Sequence, residues 1–167
     1  MRRWRRRWLI SRRPLAVKTL VVTATPEKID AVHRALEAFW IDVAGSVARY
    51  DPGVRLRVDT AVAELASNIV QHAYPSSGPP GTMRLRLRSY SDGVEVTFTD
   101  RGVPYTGSFP KKLPKSLHQG TENTPLLPEQ GMGLGVISSA VDEVRYRRTA
   151  GGRNQWKLVK RFAQSHA

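Results

Sequence analysis

"ELASNIVQHAY", residues 64–74, places a carboxylate, a carboxamide and an imidazole at Glu64, Asn68 and His72, each four residues after the last. A step of four residues overshoots a full helical turn by only about 40°, so the three side chains share one face of a helix. Tyr74 and Pro75 end the helical pattern. Taken alone, the stripe fits either a solvated polar face or the wall of an active site.

The chain before this stretch predicts one strand and one amphipathic helix. "LAVKTLVVTA", residues 15–24, is apolar and β-branched, as a strand requires. Thr25 is then the expected N-cap, Pro26 follows at the first helical position, and Gly45 is the expected stop. "YDPG", residues 50–53, marks a turn before the next helix.

The chain after residue 74 predicts two hairpins. "TMRLRLRSY", residues 82–90, alternates apolar residues with arginines that should face solvent, and the next strand turns Asp100 inward at its end. "GMGLGVISSAVDEV", residues 131–144, becomes a short helix, and a Gly151-Gly152 turn closes the second hairpin. The pattern predicts an α+β fold: a two-layer sandwich with a mixed, mostly antiparallel sheet and helices on one face.

The net charge of +13 is concentrated near the beginning of the chain, where residues 1–18 carry eight basic side chains and no acid. We expect this segment to be a disordered basic tail. Its longest apolar run, Trp8 to Ile10, is too short for a signal peptide or a membrane span, and the chain has no cysteine. A cytoplasmic protein is expected. Contact of the tail with an anionic membrane or nucleic acid stays open.

Two further motifs suit nucleotide binding. In "TDRGVP", residues 99–104, the Asp100 carboxylate can accept from an exocyclic amine while Gly102 admits close backbone approach, although the motif also fits a simple turn. In "GMGLG", residues 131–135, glycines at a helix start expose N–H groups that favour phosphate. The stretch between them predicts a mobile lid at about residues 104–130.

In order and spacing, ExxxNxxxHAY, DxGxP, a long lid and GxGLG resemble the N box, G1 box and G2 box of the GHKL ATPases, which bind ATP in the Bergerat (histidine-kinase-like ATPase) fold. The resemblance covers about residues 19–162, so we expect a GHKL domain at residues 19–163 followed by a short tail, residues 164–167. "NIVQHAY" and the final hairpin "GGRNQWKLVK" are most similar to anti-sigma factor serine-protein kinases of the RsbW and SpoIIAB type.

The resemblance implies roles for individual residues. Asn68 would hold Mg²⁺ against the phosphates, Asp100 would accept from the adenine amino group, and Glu64 would deprotonate the attacking serine hydroxyl. His72 fits either a structural or a catalytic role, and a lid lysine, Lys111 or Lys112, is a candidate for the γ-phosphate. The glycine-rich contacts would be Gly102 at the base and Gly131, Gly133, Leu134 and Gly135 along the triphosphate.

The activity that the resemblance implies is phosphorylation of a STAS-type anti-sigma factor antagonist, using ATP and Mg²⁺, by a homodimer that also sequesters a sigma factor. No direct contact with nucleic acid is required. An alternative is a non-catalytic, nucleotide-dependent partner-binding switch in which Glu64 is idle. A histidine-kinase-type ATPase domain is a further alternative, disfavoured because His33 lies on a single upstream helix without a helical hairpin.

Overall fold

The computed structural model describes residues 13–47, 50–74, 78–107 and 132–162. No helix within those ranges is both long and apolar enough to cross a bilayer. In chain order the elements are strand β1 (Ala16–Thr23), a 3-10 turn (Pro26–Lys28), helix α1 (Ile29–Ser46), helix α2 (Pro52–Asn68), a π-helical turn (Ile69–Ala73), strands β2 (Thr82–Tyr90) and β3 (Gly93–Asp100), helix α3 (Met132–Ala140), and strands β4 (Glu143–Arg148) and β5 (Asn154–Arg161).

The five strands form one sheet in the order β1-β2-β3-β5-β4. Each neighbouring pair is antiparallel, and the pairs β2-β3 and β4-β5 are the two hairpins that the sequence predicts. Because β5 inserts between β3 and β4, the last strand of the chain takes an interior place in the sheet. The predicted α+β sandwich is therefore confirmed, and every described strand pair is antiparallel.

The alternation of side chains gives the sheet one apolar and one polar face. Leu85, Phe98 and Trp156 occupy neighbouring positions on β2, β3 and β5 and are buried beneath the helices. Arg84 and Arg86 lie between the buried residues of β2 and are exposed on the opposite face. Successive residues of a strand point to opposite faces, so the alternation predicted for β2 and β3 is confirmed.

Helices α1 and α2 cover the apolar face. Phe39 and Trp40 of α1 are fully buried, as is Leu65 of α2, and each such burial stabilises the fold by about 1.5–3 kcal/mol. The Trp40 Nε1–H donates to Asp59 Oδ1 at 2.7 Å, which ties α1 to α2. Burial raises the pKa of Asp59, while the Trp40 hydrogen bond and the charge of Arg55 partly offset that rise.

The two long helices begin differently. Asp51 caps α2, since its side chain accepts from the Gly53 N–H at 2.9 Å and Pro52 fills the first helical position. "YDPG" is thus a helix start as well as a turn. Thr25 occupies the predicted cap position in an extended conformation, but its side chain makes no capping bond, and a 3-10 turn precedes α1. Helix α1 ends at Ser46, one residue beyond the predicted stop.

Candidate nucleotide site

A cleft of about 760 Å³ opens between α2, the start of α3 and the adjoining ends of β3 and β5. Its volume is within the range of small-molecule sites. The structure brings six of the residues singled out from the sequence to this one cleft, although they come from three separate stretches of the chain: Glu64, Asn68, His72, Asp100, Gly133 and Leu134.

One wall of the cleft is formed where α3 begins against α2. A Cβ atom on Gly133 would lie 3.1 Å from Glu64 Oε2 and 3.2 Å from Asn68 Nδ2. A side chain at this position would require Glu64 or Asn68 to shift by a few tenths of an ångström, so the glycine lets α3 begin close to both groups. Both side chains are half-buried, and neither has a hydrogen bond or ion pair within the described ranges. A carboxylate and a carboxamide therefore face the cleft with free polar atoms.

The far end of that wall is the π-helical turn Ile69–Ala73, which directly continues α2. Single π turns inside helices often occur at functional sites because they change the direction of side chains and backbone groups. His72 lies on this turn, lines the cleft and is exposed. The carbonyl of Ala73 accepts from the Val103 N–H at 2.6 Å, which attaches the loop after β3 to the end of the helix.

Asp100 is the most buried carboxylate of the cleft, with an exposed fraction of 2%. Its Oδ1 accepts from the Gly102 N–H and from Asn154 Nδ2, both at 2.8 Å. Its Oδ2 is buried and has no hydrogen-bond partner within the described part of the chain. Leaving a buried acceptor unpaired costs about 1–3 kcal/mol. A ligand that donates a hydrogen bond at this point would satisfy it.

Gly102 packs against the helix end and is absent from the cleft lining. A Cβ atom at this position would lie 2.1 Å from the carbonyl oxygen of Ala73, which is backbone and cannot rotate away. The glycine is required because the loop after β3 passes so close to the π turn. Its N–H also fixes Asp100, so Gly102 acts on the cleft through the loop and the carboxylate.

Sequence reasoning missed Asn154, the buried residue that holds this corner together. Its Nδ2 donates to Asp100 Oδ1 and approaches the carbonyl oxygens of Gly102 at 3.2 Å and Val103 at 3.1 Å. Its Oδ1 accepts from the Tyr146 hydroxyl and from Arg148 Nη1, both at 2.8 Å. Every polar atom of the Asn154 side chain is thus used, which fixes the orientation of Asp100.

A second missed feature is an aromatic cluster beside Asn154. Tyr105, Tyr146 and Trp156 pack together with ring centroids 4.7–5.7 Å apart. The Tyr105 N–H donates to the Tyr146 hydroxyl at 2.9 Å, and burial raises the pKa of Tyr105. The available signal was the inward row Asn154, Trp156 and Leu158 of β5, in which an amide begins an otherwise apolar alternation.

The other predicted residues are divided between the fold and the undescribed ranges. Gly135 is buried within α3 and does not line the cleft. Residues 103–107, where the predicted lid begins, do line it. Gly131, Lys111, Lys112 and the rest of the predicted lid lie outside the described residues, as does most of the predicted basic tail.

A family model described as the histidine kinase-like ATPase domain matches residues 22–160, which include every described element after β1 except the last residue of β5, and the end of β1 itself. The chain belongs to this family. The histidine kinase-like ATPase assignment agrees with the antiparallel sheet, the helix layer and the cleft at its edge.

Similar proteins of known name include two classes of bacterial regulator. Serine-protein kinase RsbW of Staphylococcus epidermidis is 34% identical over 95 residues, which are 54% of this chain and 57% of that protein. The anti-sigma F factor of Pasteuria penetrans is 29% identical over 127 residues, 75% of this chain and 81% of that protein. The match to RsbW therefore spans little more than half of its length.

Among solved structures, the histidine kinase domain of the Erythrobacter litoralis EL346 blue-light activated histidine kinase is similar at a TM-score of 0.45 and 20% identity. The likeness covers 86% of this chain and 66% of that one. It is too distant to add to the family assignment.

Proposed function

We propose that this histidine kinase-like ATPase domain binds ATP with Mg²⁺ and transfers the γ-phosphoryl group to a serine hydroxyl of a protein partner. The observation that carries the proposal is the unpaired, buried Oδ2 of Asp100, a residue that lines the same cleft as Glu64 and Asn68. A base-recognising acceptor and two free polar groups in one cleft suit a nucleotide better than an apolar ligand.

Asp100 fits the base of the nucleotide. Adenine carries an exocyclic amino group, and the free Oδ2 is an acceptor already fixed in place by bonds to Oδ1 from Gly102 and Asn154. Such an acceptor loses little conformational entropy when a ligand binds. The aromatic side chains of Tyr105 and Trp156 line the same cleft and supply apolar surface for a flat ring.

Asn68 and the start of α3 fit the phosphate end. The Asn68 side-chain oxygen is a hard ligand of the kind Mg²⁺ accepts while keeping several waters. Gly133 leaves space beside it, and the first N–H groups of α3, a helix of nine residues, favour an anion. When bound, MgATP supplies the transferable phosphoryl group and the metal charge that offsets the charge of the phosphates.

Glu64 is one helical turn before Asn68, and its Oε2 faces Gly133. A carboxylate at this place accepts the proton of a serine hydroxyl as the hydroxyl oxygen bonds to phosphorus. The proton moves from the serine oxygen to Glu64, and the bond between the γ-phosphorus and the bridging oxygen breaks, so that ADP leaves with that oxygen. We therefore assign Glu64 as the general base and Asn68 as the metal ligand.

The names of the relatives support the choice of partner. One is a serine-protein kinase and the other an anti-sigma factor. We propose that the phosphorylated partner is a STAS-type antagonist and that the chain, as a homodimer, also sequesters a sigma factor. Phosphorylation adds about −1.5 to −2 charges to the acceptor, which gives the kinase a means to alter the antagonist's affinity for it.

Two measurements test the proposal. Isothermal titration with ATP and Mg²⁺ should show binding to the wild-type chain and at least about tenfold weaker binding to Asn68→Ala and Asp100→Asn. Glu64→Gln should bind with nearly unchanged affinity. Labelled ATP with the STAS-domain protein encoded nearest in the same genome should yield phosphoserine with the wild-type chain and none with Glu64→Gln.

Glu37→Gln is the matched control, because Glu37 is exposed on α1 and outside the cleft. It should bind ATP and phosphorylate the partner as the wild-type chain does. Binding that is indifferent to both Asn68 and Asp100 would remove the nucleotide site. ATP-dependent partner binding without phosphoserine would instead favour the non-catalytic switch.

A further inference from the structure

The face of the sheet away from the helices carries three rows of mostly polar side chains, with Val159 in the third row and the exposed Val17 and Val21 on β1 at the edge. The register aligns Arg84 of β2 with Thr99, Gln155 and Arg147 on the neighbouring strands. The next row continues from Arg86 through Thr97, Lys157 and Arg145, and a third begins at Arg88 and Glu95. We call this surface the cationic face, after its basic residues: Arg84, Arg86, Arg88, Arg145, Arg147 and Lys157.

The cationic face forms a groove of about 1080 Å³, lined by eight basic side chains and two carboxylates. One carboxylate, Asp100, is buried. The other, Glu95, is paired with both Arg88 at 3.2 Å and Lys157 at 2.6 Å. Arg84 and Arg86 are exposed and have no hydrogen bond or ion pair to any described residue. Positive charges therefore greatly outnumber negative charges in the groove, and two guanidinium groups are available to bind a partner.

We propose that the cationic face binds an extended acidic segment of a protein partner. Alternate residues of a strand are about 6.6 Å apart, and the same interval separates alternate side chains of an extended peptide. Carboxylates at every second position of such a segment meet Arg84 and Arg86 in register, and guanidinium groups bind carboxylates in bidentate pairs. The inference is independent of the proposed kinase activity, because Arg84 and Arg86 do not line the nucleotide cleft. Asp100 lines both the groove and the cleft, but the cationic-face proposal gives it no role.

The charge of the groove argues against two other occupants. A second copy of the chain packed face to face would bring arginines onto arginines, and like charges in contact are unfavourable. The chain's own first residues fit no better, since residues 1–13 contain seven arginines and no acid. An occupant of opposite charge is required.

Nucleic acid is anionic, but the shape and chemistry of the face do not suit it. Sheets that bind single strands stack bases on exposed aromatic side chains. The three rows contain no aromatic residue, Tyr90 in the next row of the same face is only partly exposed, and Tyr146, which borders the groove, belongs to a row on the helix side. Five strands spaced by about 4.8 Å also make the face roughly 19 Å wide. The face is therefore too wide to enter the major groove of a duplex, which is about 12 Å wide. An acidic protein segment needs neither exposed aromatic side chains nor a face narrow enough to enter a groove.

The test uses the full chain and fluorescence anisotropy with a labelled peptide of alternating Glu and Thr at about 50 mM salt, where screening is moderate. The peptide should bind the wild-type chain, and Arg84→Gln combined with Arg86→Gln should weaken binding about fivefold or more. The Gln-Thr version of the peptide should not bind.

Arg34→Gln combined with Arg57→Gln is the matched control, because both arginines are exposed on the helix layer and the change in net charge is the same. The basic segment before β1 is present in all three proteins, so its contribution cancels. Equal weakening by both double variants, or no binding of the Glu-Thr peptide, would overturn the proposal. Tighter binding of oligothymidylate with the same dependence on Arg84 and Arg86 would reassign the face to nucleic acid.

Discussion

At the scale of single residues, Asn154 determines the geometry of the proposed base pocket although it belongs to none of the three sequence motifs. It joins the carboxylate of Asp100, the loop carbonyls of Gly102 and Val103, and the hydroxyl of Tyr146. The motifs identify Glu64, Asn68 and Asp100 in the cleft, whereas Asn154, which also lines the cleft, holds Asp100 in place. Its role depends on the pairing of β3 with β5, which no local pattern reveals.

Asn154→Ala should lower the free energy of unfolding by about 1–3 kcal/mol, because Asp100 Oδ1 loses one of its two donors and the Tyr146 hydroxyl loses its acceptor. It should also weaken ATP binding, since Asp100 loses the bond that orients it. Urea unfolding and calorimetry measure the two effects. Gln155→Ala, on the outer face of the same strand, should leave ATP affinity unchanged, and a similar loss there would contradict the assigned role.

Gly102 and Gly45 differ in the space that each leaves for a side chain. Gly102→Ala should destabilise the fold by about 1–3 kcal/mol, because its Cβ would overlap the carbonyl oxygen of Ala73. Gly45→Ala, in α1, has nothing within 4 Å of the new Cβ and should be neutral or stabilise by up to about 1 kcal/mol. Thermal unfolding of both variants distinguishes a packing requirement from a general cost of replacing glycine.

At the scale of elements, the sequence predicted the helices and strands well because each depends on residues close together in the chain. The alternation in β2 and β3 and the amphipathic pattern of α1 arise from local geometry, and the structure confirms both. The π turn after Asn68 was not predicted, since its residues continue an ordinary helical pattern. Its last residue, Ala73, accepts a hydrogen bond from the Val103 N–H of the loop after β3, a contact that the local sequence does not specify.

The junction between α3 and β4 should be sensitive to pH through Asp142. Burial alone would raise the pKa of Asp142. Hydrogen bonds from the Arg161 N–H at 2.6 Å and from Lys160 Nζ at 3.0 Å together lower it by more, so the pKa of Asp142 lies below its usual value. The carboxylate therefore stabilises the fold above the unfolded pKa of about 3.9. That stabilisation is lost as pH falls through the lower, folded pKa.

Asp142→Asn should reduce the free energy of unfolding at neutral pH by up to about 1 kcal/mol, since the side chain is partly exposed and its charge is screened. The difference from wild type should shrink below about pH 4. Asp59→Asn should behave oppositely: the raised pKa of Asp59 makes its charge unfavourable, so the variant gains relative stability as pH rises through that pKa. Urea unfolding as a function of pH checks the direction of both effects. Curves of unfolding free energy against pH that run parallel to that of the wild type would refute them.

At the scale of the whole molecule, the fold class followed from the sequence, but the distribution of charge over the surface did not. The net charge of +13 is visible at once, and its first concentration lies near the beginning of the chain. The second concentration, on the cationic face, appears only when strands β2, β5 and β4 lie in one sheet. Lys157 of β5 and Arg145 of β4 are then paired neighbours on adjacent strands, a register that the hairpin pattern alone does not specify.

Mutual repulsion on this face should make the protein more stable as salt increases. The free energy of unfolding of the wild-type chain should rise by up to about 1 kcal/mol between about 20 and 200 mM NaCl, as the Debye length shortens below the spacing of distant charges. Arg84→Gln combined with Arg86→Gln should flatten that dependence. An identical effect from Arg34→Gln with Arg57→Gln would assign the repulsion to net charge rather than to the sheet face.

The interior position of β5 determines how late in synthesis the sheet and the cleft can form. Asp100 is synthesised 54 residues before Asn154, its partner across the sheet. Until residues 154–161 have left the ribosome, β3 has a bare edge and the acidic corner of the cleft is unformed. Domains fold as units during synthesis, so a nascent chain gains the proposed base pocket only with the β4-β5 hairpin. The nucleotide binding that we propose would then report that the sheet is complete.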